Sequence, residues 1–242
     1  MKKRNKIILG LLTLLIIILC LFGIYYVNDY YHADDNIKAY LSGNENVSVK
    51  ETSNGILLDG KGNENAIIFY PGAKVEYTSY IPLFMNLSNE GVDCFIVEMP
   101  FNLAIFGPDS ADSIMQNNSY NYSNWYMSGH SMGGVIAASY AHYNPEKIDG
   151  IILLASYPSN DIKNISTLSI YGSNDNVLNK KNYDKNKKFL PDNVTEHIIK
   201  GGNHAQFAYY GNQSGDGVAD ITRDKQIKES VEEILNFINS SS

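Results

Sequence analysis

The sequence predicts an α/β fold with a mostly parallel central sheet, helices on both faces, and one transmembrane helix before it. Short, wholly apolar segments recur along the chain, and segments with helical spacing of apolar residues separate them. Such alternation is typical of a parallel sheet that is covered on both sides. A run of about twenty uncharged residues near the N-terminus is long enough to cross a bilayer. The remaining length suits one α/β domain of ordinary size.

The N-terminal segment is divided by charge. Residues 1–6 carry four basic side chains, and residues 7–27 carry no charged side chain. Because basic residues stay on the cytoplasmic side of a membrane, we expect a cytoplasmic tail at 1–6 and a single-pass signal-anchor helix at 7–27. The rest of the chain then lies outside the cell. A cleaved signal peptide is the alternative, but the apolar run is long for one and no small-x-small cleavage site follows it.

Composition excludes several classes of function. The net charge of −7 and the absence of a basic run argue against a nucleic-acid partner. Cys20 and Cys94 fall on opposite sides of the expected membrane boundary, so they are not expected to form a disulfide, and Cys94 reads as a small core residue. We find no cluster of metal-ligand residues and expect neither a metal nor another cofactor.

The elements after the membrane helix begin with a polar, Tyr-rich linker at 28–45 and a domain at 46–242. An antiparallel pair of strands opens this domain, and the later strands are wholly apolar. In order they are VSVKE, GILLDG, AIIFY, DCFIVEM, NWYMS, IDGIILLAS, TLSIYG and VTEHIIK. GPDSADSIMQNNSYNYSN, before NWYMS, has room for one helix but not for a large lid.

Helices are predicted from apolar spacing and from end signals. The segment from Tyr80 to Leu87 places apolar residues at i, i+3, i+4 and i+7, and Gly91 closes it. VIAASYAHY is a helix that stops near Asn144-Pro145. The last helix starts at Thr222 as a candidate N-cap, and its apolar stripe is Ile227, Val231, Ile234, Leu235 and Ile238.

A serine lies between glycines directly after the apolar strand NWYMS. The pentapeptide GHSMG (129–133) fits G-x-S-x-G, a strand–turn–helix elbow that exposes a strained nucleophile. The glycines are needed where neighbouring backbone crowds the turn. A tight turn without chemistry is the alternative, but the apolar strand before Ser131 and the small-residue helix after it favour a nucleophile.

A serine nucleophile needs a base, and the base needs an acid that orients it. In this fold the chain order is Ser, then Asp or Glu, then His. His204 follows the last strand and two glycines in IIKGGNHAQF, and it is the histidine correctly placed for the base. For the acid we favour Asp175, in the loop after TLSIYG, over Asp161, in the loop after the preceding strand.

An oxyanion hole requires two backbone donors. One is expected to be the N–H of Met132, the residue after the nucleophile. The other is expected in PGAKV, after the strand AIIFY, where we favour the N–H of Ala73 over that of Lys74. A simple Pro-Gly turn is the alternative reading of that segment. Tyr77, Phe101, Phe106 and Tyr157 are candidate pocket walls, although aromatic residues at strand ends also serve packing.

Six segments together resemble the α/β-hydrolase superfamily, and more narrowly its small bacterial fold-five subgroup, which is related in build to dienelactone hydrolases. They are YPGAKV, MPFNLAIF, GHSMGG, LASYP, SIYGSNDNV and GGNHAQFAYYGNQSGDG. The resemblance covers the chain from about Ala66 to the C-terminus and departs from the subgroup at Ala208, where glycine is expected. It implies a Ser131, Asp175, His204 triad. The loop GNQSGDGVADI belongs to the subgroup pattern, and its Asp216 and Asp220 are too few for a metal site.

These observations together predict a membrane-anchored serine hydrolase that acts on a small-molecule ester, with 46–242 as its catalytic domain outside the cell. Thioesterase, peptidase and acyltransferase chemistry use the same triad. A different class, a non-catalytic surface-binding protein on a hydrolase scaffold, is the second hypothesis, because fold alone does not establish function. The intact triad and the oxyanion glycine favour the enzyme.

Overall fold

The computed structural model describes residues 3–241, and the contacts divide the chain into two compact units, Met1–Tyr30 and Tyr31–Ser242. The described part of the first unit contains one helix, α1 (Lys3–Asn28). The side chains of residues 4–22 are all exposed. By length and composition, residues 4–28 suffice to cross a membrane, a test that a signal sequence also passes.

Within the described part of the second unit, eight strands form one sheet, in the order β1-β2-β4-β3-β5-β6-β7-β8. The strands β1 and β2 are antiparallel, as are β2 and β4, and all other neighbours are parallel. The strands are β1 (Ser48–Thr52), β2 (Gly55–Asp59), β3 (Asn65–Tyr70), β4 (Asp93–Val97), β5 (Asn124–His130), β6 (Gly150–Leu154), β7 (Thr167–Gly172) and β8 (Thr195–Ile199).

Helices cover both faces of the sheet. They are α2 (Ile81–Asn89), α3 (Ser110–Met115), α4 (Met132–Tyr143), α5 (Lys180–Asn186) and α6 (Arg223–Ser241). Alternate residues of β3 join different cores: Ile67 and Phe69 pack in one apolar cluster with α2 and α6, whereas Ala66 and Ile68 pack in the other with α3 and α4. This alternation follows from the two-residue period of a strand.

The predicted fold class is confirmed, including the mostly parallel sheet and the opening antiparallel pair. The final helix begins one residue after Thr222, whose hydroxyl accepts the N–H of Lys225 at 3.3 Å. The polar helix α5 has no counterpart in the sequence prediction, because only Tyr183 within it is buried and no apolar stripe marks it.

Residues 31–45, which the sequence assigned to a linker, pack within the second unit. Tyr31 forms a parallel bridge with Val75, and the N–H of Asp34 donates to the carbonyl of Tyr209 at 2.8 Å. Ile37 is buried in the core beside α2. Asn36 and Lys38 flank this apolar side chain in the sequence, so no apolar run signals the packing.

Candidate active site

Ser131 lies at a sharp turn between β5 and α4. Its φ of 53° and ψ of −124° are unusual for a residue with a side chain. Such conformations cost about 1–3 kcal/mol and persist only where the surroundings enforce them. Two bonds do so here: the N–H of Ser131 donates to Leu154 at 2.9 Å, and the hydroxyl of Ser156 donates to the carbonyl of Ser131 at 2.7 Å.

The glycines of the elbow are required by close backbone approach. A Cβ at Gly133 would overlap the carbonyl oxygens of Tyr70 and Pro71, and a Cβ at Gly134 would overlap Ser156. A side chain at Gly129 would likewise overlap the backbone of Gly133. The sequence analysis missed Ser156. The signal that could have identified it is the serine of LAS, just after the end of β6, because β6 pairs with the strand that leads into the elbow.

Asp175 and His204 form a buried pair. The Nδ1 atom of His204 lies 2.8 Å from Oδ2 of Asp175, and each residue is only 1% exposed. The other oxygen of Asp175 accepts the N–H groups of Val177 at 2.9 Å and Leu178 at 2.7 Å. Because a carboxylate only accepts hydrogen bonds, Nδ1 carries the proton, and a neutral ring then has a free lone pair on Nε2.

That Nε2 atom is buried and has no hydrogen-bond partner among the described residues. His204 and Ser131 line the same cavity, but the bond between Nε2 and the Ser131 hydroxyl is not formed in this structure. Such bonds are often long without substrate and tighten in the complex. A histidine bonded to a carboxylate thus lines the same cavity as a serine. The roles of base, acid and nucleophile stay a prediction.

The cavity has a volume of about 300 Å³. Its walls are mostly apolar, which favours an apolar group of modest size next to the serine. The lining residues are Ser131, Met132, Val135, Ala155, Ser156, Tyr157, Val177, Leu178, Asn179 and His204.

Hydrogen bonds in the loop after β3 distinguish the two candidates for the second oxyanion donor, Ala73 and Lys74. The N–H of Lys74 donates to the carbonyl of Asn102 at 2.8 Å, and the N–H of Gly72 donates to the hydroxyl of Tyr80 at 3.1 Å. For the N–H groups of Ala73 and Met132, we find no acceptor within residues 3–241. The free donors are thus the two that the sequence analysis favoured, and their role as an oxyanion hole stays a prediction.

His130, within the elbow, belongs to a buried network that sequence reasoning missed. The hydroxyl of Tyr80 lies 2.8 Å from Nδ1 of His130, and Nε2 of His130 lies 3.1 Å from the carbonyl oxygen of His204. With Nε2 as the donor and Nδ1 as the acceptor, every bond is satisfied. Burial, and then the charge of His204, lower the pKa of His130 well below its usual value. The network joins the loop after β3, the elbow and His204.

A sequence model described as the alpha/beta hydrolase family matches residues 66–228. The chain belongs to the α/β hydrolase family. This membership confirms the resemblance that the six segments carry. No curated protein sequence matches the chain significantly.

Solved structures of hydrolases share the fold. A predicted CIB-like hydrolase from Thermoplasma acidophilum has a TM-score of 0.58 and 15% identity, over 78% of this chain and 99% of its own. A dienelactone hydrolase from Anabaena variabilis has a TM-score of 0.55 and 12% identity, over 79% and 99%. A bacterial membrane phospholipase A has a TM-score of 0.58 and 12% identity, over 98% and 99%. At these identities the likeness concerns the fold.

The remaining candidates lie elsewhere in the hydrolase domain. Asp161 is exposed, and its carbonyl is 2.6 Å from Nδ1 of His142, so the structure does not bring it to His204. Of the candidate pocket walls, Tyr157 lines the cavity. Phe101 and Phe106 are exposed and stack edge-on at 5.7 Å, and Tyr77 packs against the core near α2.

Proposed function

We propose that this chain is a membrane-anchored serine hydrolase that cleaves carboxylic esters, with Ser131 as nucleophile, His204 as base and Asp175 as the orienting acid. The observation that carries the proposal is the buried bond of 2.8 Å between Nδ1 of His204 and Asp175, with the unpartnered Nε2 beside the cavity of Ser131. A purely structural histidine at full burial is normally bonded at both nitrogens.

The geometry supports acyl transfer in two stages. Ser131 attacks the carbonyl carbon of the ester while Nε2 of His204 accepts the hydroxyl proton, and the N–H groups of Met132 and Ala73 hold the resulting oxyanion. The tetrahedral intermediate expels the alcohol, which receives that proton from His204. Water then attacks the acyl-enzyme and loses a proton to His204, which protonates the departing Ser131 oxygen. Asp175 stabilises the charged imidazole and stays ionised throughout.

The cavity indicates the size of the substrate. A volume of about 300 Å³ with apolar walls at Val135, Val177 and Leu178 suits a short acyl or alcohol group rather than a long lipid chain. Between β4 and β5 the described chain contains only one short α-helix, α3, which leaves the site without a large cap.

The N-terminal helix supports the membrane part of the proposal. An apolar helix whose side chains are exposed over residues 4–22 is unfavourable in water and stable in a bilayer. The four basic residues before it favour a cytoplasmic N-terminus and place the hydrolase domain outside the cell.

The test is covalent labelling of the full-length chain in detergent with a fluorophosphonate, followed by hydrolysis of short p-nitrophenyl esters. We expect labelling in the wild type and in His142→Ala, a matched histidine outside the site, and none in Ser131→Ala or His204→Ala. Labelling that survives Ser131→Ala would refute the assigned nucleophile.

The same assay separates the rival functions. A labelled protein that cleaves thioesters, or that transfers acyl groups to an alcohol, in preference to hydrolysing esters would keep the triad and change the substrate class. A folded wild type without labelling would favour the binding-protein hypothesis.

A further inference from the structure

The loop GNQSGDGVAD (211–220), between the base loop and α6, touches both catalytic loops. The carboxylate of Asp216 accepts the N–H of His204 at 3.3 Å through Oδ1 and the N–H of Ala205 at 2.9 Å through Oδ2. Oδ1 also accepts the N–H of Asn176 at 3.4 Å and of Gly217 at 2.8 Å. One side chain therefore holds the backbone at the base and at the residue after Asp175.

The rest of the loop reinforces both connections. On the acid side, the amide of Asn174 donates to the carbonyl of Val218 at 2.9 Å, and a Cβ at Gly217 would overlap the carbonyl oxygen of Asn174. On the base side, the amide of Asn203 donates to the carbonyl of Gly217 at 2.8 Å. The glycine lets the loop approach closely enough for Asp216 to reach both segments.

We propose that Asp216 is a positioning residue that fixes the distance and angle between Asp175 and His204. This inference rests on the proposed function, in which those two residues are the acid and the base. Asp216 does not touch the cavity of Ser131, whose lining excludes it, so it acts through the loops that carry the pair.

The physical reason lies in where the two loops are joined. Direct backbone bonding occurs just before the pair, where the N–H of Asn174 donates to the carbonyl of Gly202 at 2.8 Å. Asp216 adds acceptors at the pair itself and after it. An ionised acceptor makes hydrogen bonds roughly twice as strong as a neutral one. Four N–H groups converge on the two oxygens of Asp216, and two of them belong to His204 and Ala205. Without the carboxylate these donors lose their shared acceptor, and the backbone at His204 and at Asn176 is held less firmly.

The test compares Asp216→Ala and Asp216→Asn with Asp220→Asn in the full-length chain. Asp220 is a matched control in the same loop: it is exposed, and its carboxylate accepts from the amide of Asn174 at 2.9 Å. Misplacement of a catalytic group by 1 Å costs on the order of a hundredfold in rate. We expect Asp216→Ala to lower kcat by about a hundredfold with KM nearly unchanged, Asp216→Asn by about tenfold, and Asp220→Asn by less than about twofold.

A second readout does not depend on activity. Histidine-selective ¹⁵N labelling and proton NMR follow the low-field Nδ1–H signal of His204, which Asp175→Asn identifies. We expect Asp216→Ala to lose or shift this signal while Asp220→Asn retains it. If Asp216→Ala keeps both signal and kcat, or if Asp220→Asn loses the signal equally, the inference is wrong. A signal that responds as expected in a wild type that hydrolyses nothing would instead support the positioning role and reject the proposed function.

Discussion

The elbow and the proposed acid–base pair are held by different forces. Ser131 lies on one contiguous segment, in which the turn joins β5 directly to α4, and close contacts of small residues and two hydrogen bonds to the end of β6 hold it there. Asp175 and His204 are 29 residues apart and are held by side chains that accept N–H groups from separate loops. The elbow should therefore fail when atoms are added, and the acid–base pair should fail when acceptors are removed.

The largest effect is expected at the acid. Replacing Asp175 by asparagine keeps the shape but removes the charge and allows the wrong imidazole tautomer, so we expect kcat to fall by about 10⁴-fold. Steady-state ester hydrolysis measures it. The matched control is Asp161→Asn, at the alternative acid, which should leave kcat unchanged. A fall of that size in Asp161→Asn, with Asp175→Asn close to the wild type, would reverse the assignment of the acid.

At the elbow, one added methyl group should be enough to destabilise the fold. In Gly133→Ala the Cβ overlaps backbone oxygens of Tyr70 and Pro71 that cannot move without shifting β3. Overpacking that forces backbone shifts costs about 1–3 kcal/mol and occasionally more, and we expect the upper end in the free energy of unfolding. Urea denaturation measures it.

The control for that substitution is Gly211→Ala, where a Cβ meets nothing within 4 Å but φ is +83°. Only the cost of the left-handed conformation should appear there, about 1–2 kcal/mol. Gly133 lies in α4 and has no positive φ, so its expected loss is steric. A loss at Gly133→Ala no larger than that at Gly211→Ala would mean that small shifts of β3 relieve the overlap.

The same contrast explains what the sequence could predict. The strand, the turn and the helix around Ser131 are adjacent in the sequence. The apolar run, the glycine spacing and the small residues after the serine therefore identify them together. Asp175 and His204 were predicted from chain order and loop context. These signals select the two loops but do not give the distance between the two side chains. Their hydrogen bond of 2.8 Å depends on the neighbouring positions of β7 and β8 in the sheet.

The roles of Asp216 and of the Tyr80 hydroxyl could not be predicted from the sequence. GNQSGDG was visible in the sequence, but the use of Asp216 depends on two loops that meet only in the folded chain. Tyr80 was assigned to a helix face by its spacing, whereas its hydroxyl bonds to the loop at Gly72 and to His130. An apolar stripe indicates which face of a helix is buried, but it does not indicate where a polar atom on that face forms its hydrogen bonds.

Tyr80 connects the two regions, and Tyr80→Phe tests that connection. The substitution removes the acceptor of the Gly72 N–H and the partner of Nδ1 of His130, both in a fully buried place. A buried polar group left without a partner costs about 1–3 kcal/mol. We expect a loss of about 2 kcal/mol in the free energy of unfolding, whereas Tyr143→Phe, at an exposed tyrosine, should change little. Equal stability of the two variants would show that the network contributes nothing measurable.

A last effect is a pH dependence that originates at His130. Burial lowers the pKa of this histidine well below 6.5, so the unfolded chain binds a proton in acid that the folded chain does not. The free energy of unfolding therefore falls as the pH drops below about 6.5 and toward the folded pKa, with a slope of up to about 1.4 kcal/mol per pH unit. Urea denaturation between pH 7 and pH 5 should show a shallower slope for His130→Asn than for the wild type, and an unchanged slope for His142→Asn. If His130→Asn keeps the full slope, the acid sensitivity arises at other groups, and the bond in which Nδ1 of His130 accepts from Tyr80 is not its origin.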